Sequence, residues 1–224
     1  MSHHLQKDLE RLKKEIMDIA SMAEQATNKA ILALLERRVE LAEEVIAEDE
    51  RIDRKEVHIE EECLKVLALH QPVATDLRFI ITVIKVNNDL ERIADKAVNI
   101  AKRAIYLSKR DALQVALDFP QMADQVRAML RLSLDALAAG DADLARKVLT
   151  MDDQVDDATR EAFSRLQKLM RSDPDSIKRA LHLLYVSRHL ERIGDLASNI
   201  AQDIVYMVEG EIIRHGAGDM RDED

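Results

Sequence analysis

The residues best placed to do chemistry are acidic pairs spaced four apart. Asp49/Asp53 and Glu91/Asp95 fall in the first half of the chain, and Asp152/Asp156 and Glu191/Asp195 in the second. Asn99 and Asn199 follow the later pair of each half. Carboxylate and amide oxygens are ligands for hard or borderline cations. The bland alternative is a solvated helix face, because 34 % of the chain is charged. Two facts weigh against it. Like charges at i and i+4 cost a helix a few tenths of a kcal/mol, so stability alone would put Lys or Arg four residues after each acid. The spacing also recurs four times, at equivalent places.

The equivalence rests on a duplicated string. Residues 89–101 laid over 189–201 share nine of thirteen identities, around Leu-Glu-Arg-Ile-(Ala/Gly)-Asp…Asn-Ile-Ala. Farther upstream the offset is 103, setting Asp49–Asp53 over Asp152–Asp156 and Arg37-Arg38 over Gly140-Asp141. The copies are not identical: Gly194 stands where the first has Ala94, and Thr159 and Phe163 replace Glu56 and Glu60, shortening the second acidic stripe.

Helices must carry these residues. Glycine (5), proline (3) and aromatics (3 %) are scarce, leaving little of the punctuation or clustering that strands need. Apolar spacing predicts a first helix over 5–36 and a second over 39–70, stopped by Pro72. A third, capped by Thr75 or Asp76, should run to about Arg110. Asp118-Phe119-Pro120 starts a fourth that ends at Gly140. Asp141 caps a fifth reaching about Arg171, and Asp173-Pro174 starts a sixth reaching about Arg214. The expected fold is all-α, a tandem duplication of antiparallel three-helix bundles with six long helices, spectrin-repeat-like. The bundles are expected over 1–113 and 114–214, followed by a flexible tail at 215–224. On a helical wheel Glu91, Asp95, Asn99 and Asn88 lie within about 80° of one another, opposite Leu90, Ile93 and Ala97. The acidic stripes are thus expected to point outward, and two pairs converge if the second and third helices are neighbours.

Composition excludes several classes. A formal charge of -10 repels phosphodiester backbones, so nucleic acid is not an expected partner. The single cysteine, Cys63, cannot form an intrachain disulfide and sits on an apolar stripe. No apolar run spans a bilayer and the N-terminus lacks a signal-peptide core, which predicts a cytoplasmic protein. There is no phosphate-binding loop, nucleophile elbow or His-rich metal motif, so no catalysis is expected. His189 is expected at a surface or interface rather than as a ligand. Arg92 and Arg192 admit both a local ion pair and a role in binding a partner or anion.

The duplicated motif, the paired acids and Pro72…Asp76-Leu77-Arg78 resemble the PhoU family over about residues 5 to 214. The resemblance implies a cytoplasmic, non-catalytic negative regulator of phosphate uptake and of the phosphate-starvation response. It implies an adaptor between the ATPase subunit of the Pst phosphate ABC transporter and a PhoR-like sensor histidine kinase, commonly a homodimer, reaching the membrane only through those partners. It further implies metal at Asp49, Asp53, Glu91, Asp95, Asn99, Asp152, Asp156, Glu191, Asp195 and Asn199, as iron or zinc clusters or as magnesium or manganese. Two alternatives stand beside it. One is a ferritin-like metal protein, against which no His follows a Glu by three. The other is a metal-free helical scaffold.

Overall fold

The computed structural model describes residues 3–115 and 117–213. All regular structure among them is helical: α1 (His3–Leu35), α2 (Val39–His70), α3 (Ala74–Ser108), α4 (Phe119–Ala139), α5 (Ala142–Leu149), α6 (Asp152–Ser172) and α7 (Ile177–Glu209), with one 3₁₀ turn at Pro174–Ser176. Six are long and α5 is short. The expected all-α bundle of six long helices is therefore observed. The expected tail at 215–224 lies outside the described residues.

The first three helices pack pairwise on one another, α4, α5 and α6 each pack on α7, and α3 against α7 together with α1 against α4 joins the two sets. One continuous apolar core runs through both, from Leu5 on α1 to Val205 on α7. Small residues on the packed faces let helices approach closely: Ala94, Ala97 and Ala101 on α3, and Gly194, Ala197 and Ala201 on α7, are all buried. Among the described residues no helix is long and apolar enough to cross a membrane.

The breaks have local causes. Arg37 adopts a left-handed φ of 57°, and Gly140, its repeat equivalent, has φ 65°. The arginine offsets its strain by donating from Nη2 to the carbonyls of Leu107 (2.8 Å), Ser108 (3.0 Å) and Arg110 at the end of α3. Asp118 and Asp141 cap α4 and α5 through Gln121 N–H and Leu144 N–H.

Three boundaries differ from the sequence expectation. Helix α3 begins at Ala74 with no side-chain cap, so Asp76 lies in its first turn instead of capping it. The fifth predicted helix is divided at Thr150–Met151. There Thr150 N–H and Oγ–H both donate to Lys147 O, and Met151 N–H donates to Val148 O, tightening the turn. The first half has Ala47, a strong helix former, at the position of Thr150. The last helix stops at Glu209, not near Arg214, because Gly210 takes φ 80° and donates its N–H to Tyr206 O.

Candidate functional site: two acidic bands and the seam between them

Helices α2 and α3 are adjacent, and so are α6 and α7. Asp49, Glu91, Asp95 and Asn99 are half-buried beside that first contact, and Asp53 is exposed. The stripe is therefore not fully turned to solvent. Burial, then the charges of Asp53 and Asp95, push the Asp49 carboxyl above its ordinary range. Burial, then Asp53, Asp95 and Glu56, push Glu91 up, while Lys96 opposes the shift. Asp49 on α2 and Glu91 on α3 thus both sit in the field of Asp53 and Asp95. Asn99 Nδ2 donates to Asp95 O at 2.8 Å and to its Oδ1 at 3.3 Å.

The second band repeats this with a different support. The break at Thr150–Met151 places Asp152 at the first residue of α6, where the helix N-terminus favours an anion. Burial pushes the Asp152 carboxyl up, and Asp195, Asp156 and Asp153 add to that. The hydroxyl of Ser198, which donates to Asp152 Oδ1 at 3.0 Å, acts in the opposite sense. Burial, Asp195 and Asp156 raise Glu191, with Arg192 and Arg188 opposing. Ser198 escaped the sequence reading because its first-half counterpart is Val98. Asn199 is exposed and borders a cleft with Arg92 and Asp195 on the α3–α7 side.

The oxygen donors suit a hard cation, but they do not surround a point. Among the described residues no three His, Cys, Asp or Glu side chains are grouped to hold an ion. Protein cations compete for the same oxygens. Lys96 Nζ lies 2.8 Å from Asp95 Oδ2, and Arg192 Nη1 lies 2.7 Å from Asp195 Oδ2. A metal would have to displace both pairs. A ferritin-like centre needs carboxylates inside a bundle. The buried carboxylates among the described residues, Asp89 and Asp203, instead meet Arg92 at 3.2 Å and Lys85 at 3.2 Å.

His189 is half-buried on the seam, and burial, Lys96 and Arg103 hold its imidazole below its usual range. Cys63 is buried in the core, which pushes its thiol up to about 12. Arg92 and Arg192 both make local ion pairs.

Comparison with known proteins gives a consistent match. The family model described as the PhoU domain matches residues 16–104 and again 119–204. A phosphate-specific transport system accessory protein PhoU homolog of Aquifex aeolicus is 42 % identical over 93 % of this chain and 95 % of its own. The homolog from Pseudomonas aeruginosa is 37 % identical over 100 % of this chain and 95 % of its own. The crystal structure of PhoU from Pseudomonas aeruginosa superposes with a TM-score of 0.89 at 38 % identity, covering 92 % of this chain and 99 % of that one. The phosphate transport system regulatory protein PhoU from Streptococcus pneumoniae gives 0.82 at 29 % identity, covering 93 % and 99 %.

Proposed function

The chain belongs to the PhoU family, and from that premise we propose that it is a negative regulator of phosphate uptake and of phosphate-starvation signalling. It acts in the cytoplasm as a homodimeric adaptor, without catalysis of its own. Its partners are the ATPase subunit of a phosphate-specific ABC transporter and a sensor histidine kinase. The regulatory role in phosphate transport follows from the family, whose members are accessory proteins of that system.

One observation supports the adaptor role: two acidic bands at equivalent places, each carrying carboxylates that burial and repulsion by neighbouring acids hold above their ordinary range. Such charge is costly for stability and suits recognition of cations or of a basic surface. A divalent or trivalent metal ion held there would neutralise the repulsion and offer its remaining coordination positions to a partner. Asp49, Asp53, Glu91, Asp95 and Asn99 would hold one, and Asp152, Asp156, Glu191, Asp195 and Asn199 the other. Regulation would then require one state of a partner to be bound better than another.

The test uses Glu91→Ala/Asp95→Ala and Glu191→Ala/Asp195→Ala in a strain whose phosphate-responsive repression depends on this protein. Loss of repression with unchanged helicity is the expected result. Full repression by both variants would overturn the role of the bands. Metal analysis of tag-free wild type and variants separates the metal from the adaptor. Absence of bound metal under every condition removes the first and leaves the second.

A further inference from the structure

The seam between α3 and α7 contains an internal control. The two helices run antiparallel, so residues one hundred apart occupy opposite ends of one pseudo-symmetric contact. At one end the seam neutralises itself: Lys85 meets Asp203, and Glu209 is bound by Arg146 at 2.6 Å. At the other end the equivalents of Asp203, Glu209 and Gly210 are Arg103, Lys109 and Arg110. Arg78 and Phe79 are likewise replaced by Lys178 and Arg179. The opposite end of the same contact carries two acids and a glycine where this end has Arg103, Lys109 and Arg110, so the pairing of these helices does not by itself call for those cations.

The cations converge. Lys109, Arg110, Lys178 and Arg179 line an open cleft of about 480 Å³ between the end of α3 and the start of α7, outnumbering the two acids, Asp111 and Asp175, that also line it. None of these four, nor Arg103, forms an ion pair among the described residues. Two guanidinium groups are braced on aromatic faces: Arg110 lies 3.5 Å from the Tyr106 ring centroid and Arg103 lies 4.8 Å from that of Tyr185. Tyr106 in turn stacks on His182 at 3.5 Å. Arg103 Nε and His182 Nδ1 are buried without a partner. The field here is positive, since burial and then Arg103, Arg110 and Lys178 hold the His182 imidazole below its usual range. All this occurs in a chain of net charge -10.

We propose that the cleft between the end of α3 and the start of α7 binds a phosphate-bearing anion. A phosphate group presents three or four oxygens and a charge near −2, enough to engage cations from both helices at once, whereas one carboxylate occupies a single arginine fork. The Arg110 guanidinium, already braced on Tyr106 in the cleft wall, loses less freedom on binding. The site lies apart from the acidic bands and does not depend on the regulatory reading above.

The experiment compares wild type, Lys109→Gln/Lys178→Gln and the charge-matched control Lys13→Gln/Lys14→Gln on α1, each checked by circular dichroism and melting. Titration calorimetry uses sodium phosphate and tripolyphosphate. Flotation uses phosphatidylcholine vesicles with and without phosphatidylglycerol. The expected result is at least a tenfold loss of binding in the cleft variant and none in the control. Binding in the calorimeter alone assigns a free anion, and binding to the anionic vesicles alone assigns a lipid headgroup. Three results overturn the proposal: equal losses in both variants, no binding of any probe by wild type, or tighter binding of a polyglutamate peptide than of every phosphate compound.

Discussion

Arg192 turns toward Asp195, 2.7 Å away and three residues downstream, while its duplicate Arg92 turns the opposite way to Asp89. The cause is one position: residue 89 is aspartate, and residue 189 is histidine. Without an acid behind it, Arg192 takes a carboxylate of the second acidic band. In the first band Asp95 is left to Lys96.

That difference sets the competition any cation meets. Arg192→Gln frees Asp195 and should strengthen manganese binding at the second band. Exposed ion pairs are worth about 0.2–1 kcal/mol, so the gain is about 1.4-fold to fivefold. Calorimetric titration with manganese checks this. Unchanged or weaker binding would show that Asp195 is no part of a cation site.

The raised carboxyls give a pH dependence with a defined sign. Asp49, Glu91, Asp152 and Glu191 all lie above their ordinary range. Each binds a proton more readily folded than unfolded. Their burden on stability is greatest at neutral pH, lifts as pH falls through the raised folded values, and is gone below about 4, near the unfolded pKa values. His182 and His189 are lowered, so they act oppositely near pH 6.5, as do Glu40 and Glu209 below their unfolded values near 4.3. The clean readout is therefore a difference. Asp49→Asn/Glu91→Gln should melt higher than wild type at pH 7, by a few tenths of a kcal/mol per relieved repulsion. The gap should close toward pH 4. A gap constant across this range would contradict the assigned cause.

Two glycines should respond with opposite signs. A Cβ at Gly194 would lie 3.7 Å from Met129 and Val155, an ordinary contact, and the first repeat has buried Ala94 there. Gly194→Ala should add about 0.5–1 kcal/mol, raising Tm by roughly 1–4 °C. At Gly140 nothing lies within 4 Å of a new Cβ, but φ is 65°. Gly140→Ala should cost about 1–2 kcal/mol through backbone strain alone. Thermal melts of the two variants decide it.

Periodicity and the repeat reveal the helical bundle and even the break at Arg37, because the offset pairs that arginine with a glycine. They miss the break at Thr150, where one side chain competes for a backbone carbonyl inside an otherwise regular pattern. Gly210 carried an end signal that the apolar spacing beyond it obscured. The carboxylate pairs are visible as spacing. Ser198, Arg192 and Lys96, which decide how free those carboxylates are, depend on which neighbouring helix each faces. The cationic cleft is less legible still. Its residues are about seventy positions apart and meet only through the antiparallel register of α3 and α7.

That register is held in part by Lys85 and Asp203, 3.2 Å apart across the seam, with Thr82 Oγ–H donating to Asp203 O at 3.3 Å. The two side chains are unequally exposed, 35 % for the lysine and 5 % for the aspartate. Losing Asp203 leaves an ammonium that can extend into solvent along its methylene stem. Losing Lys85 takes one cation away from a buried carboxylate, a loss of about 1–3 kcal/mol. Lys85→Ala should therefore destabilise more than Asp203→Ala, an ordering that a model based only on counting lost contacts does not give. Urea unfolding of both single variants and of the double variant tests it. The double variant should recover part of the Lys85→Ala loss, because it removes the buried carboxylate together with the lysine. Strictly additive losses would mean that the pair is not coupled.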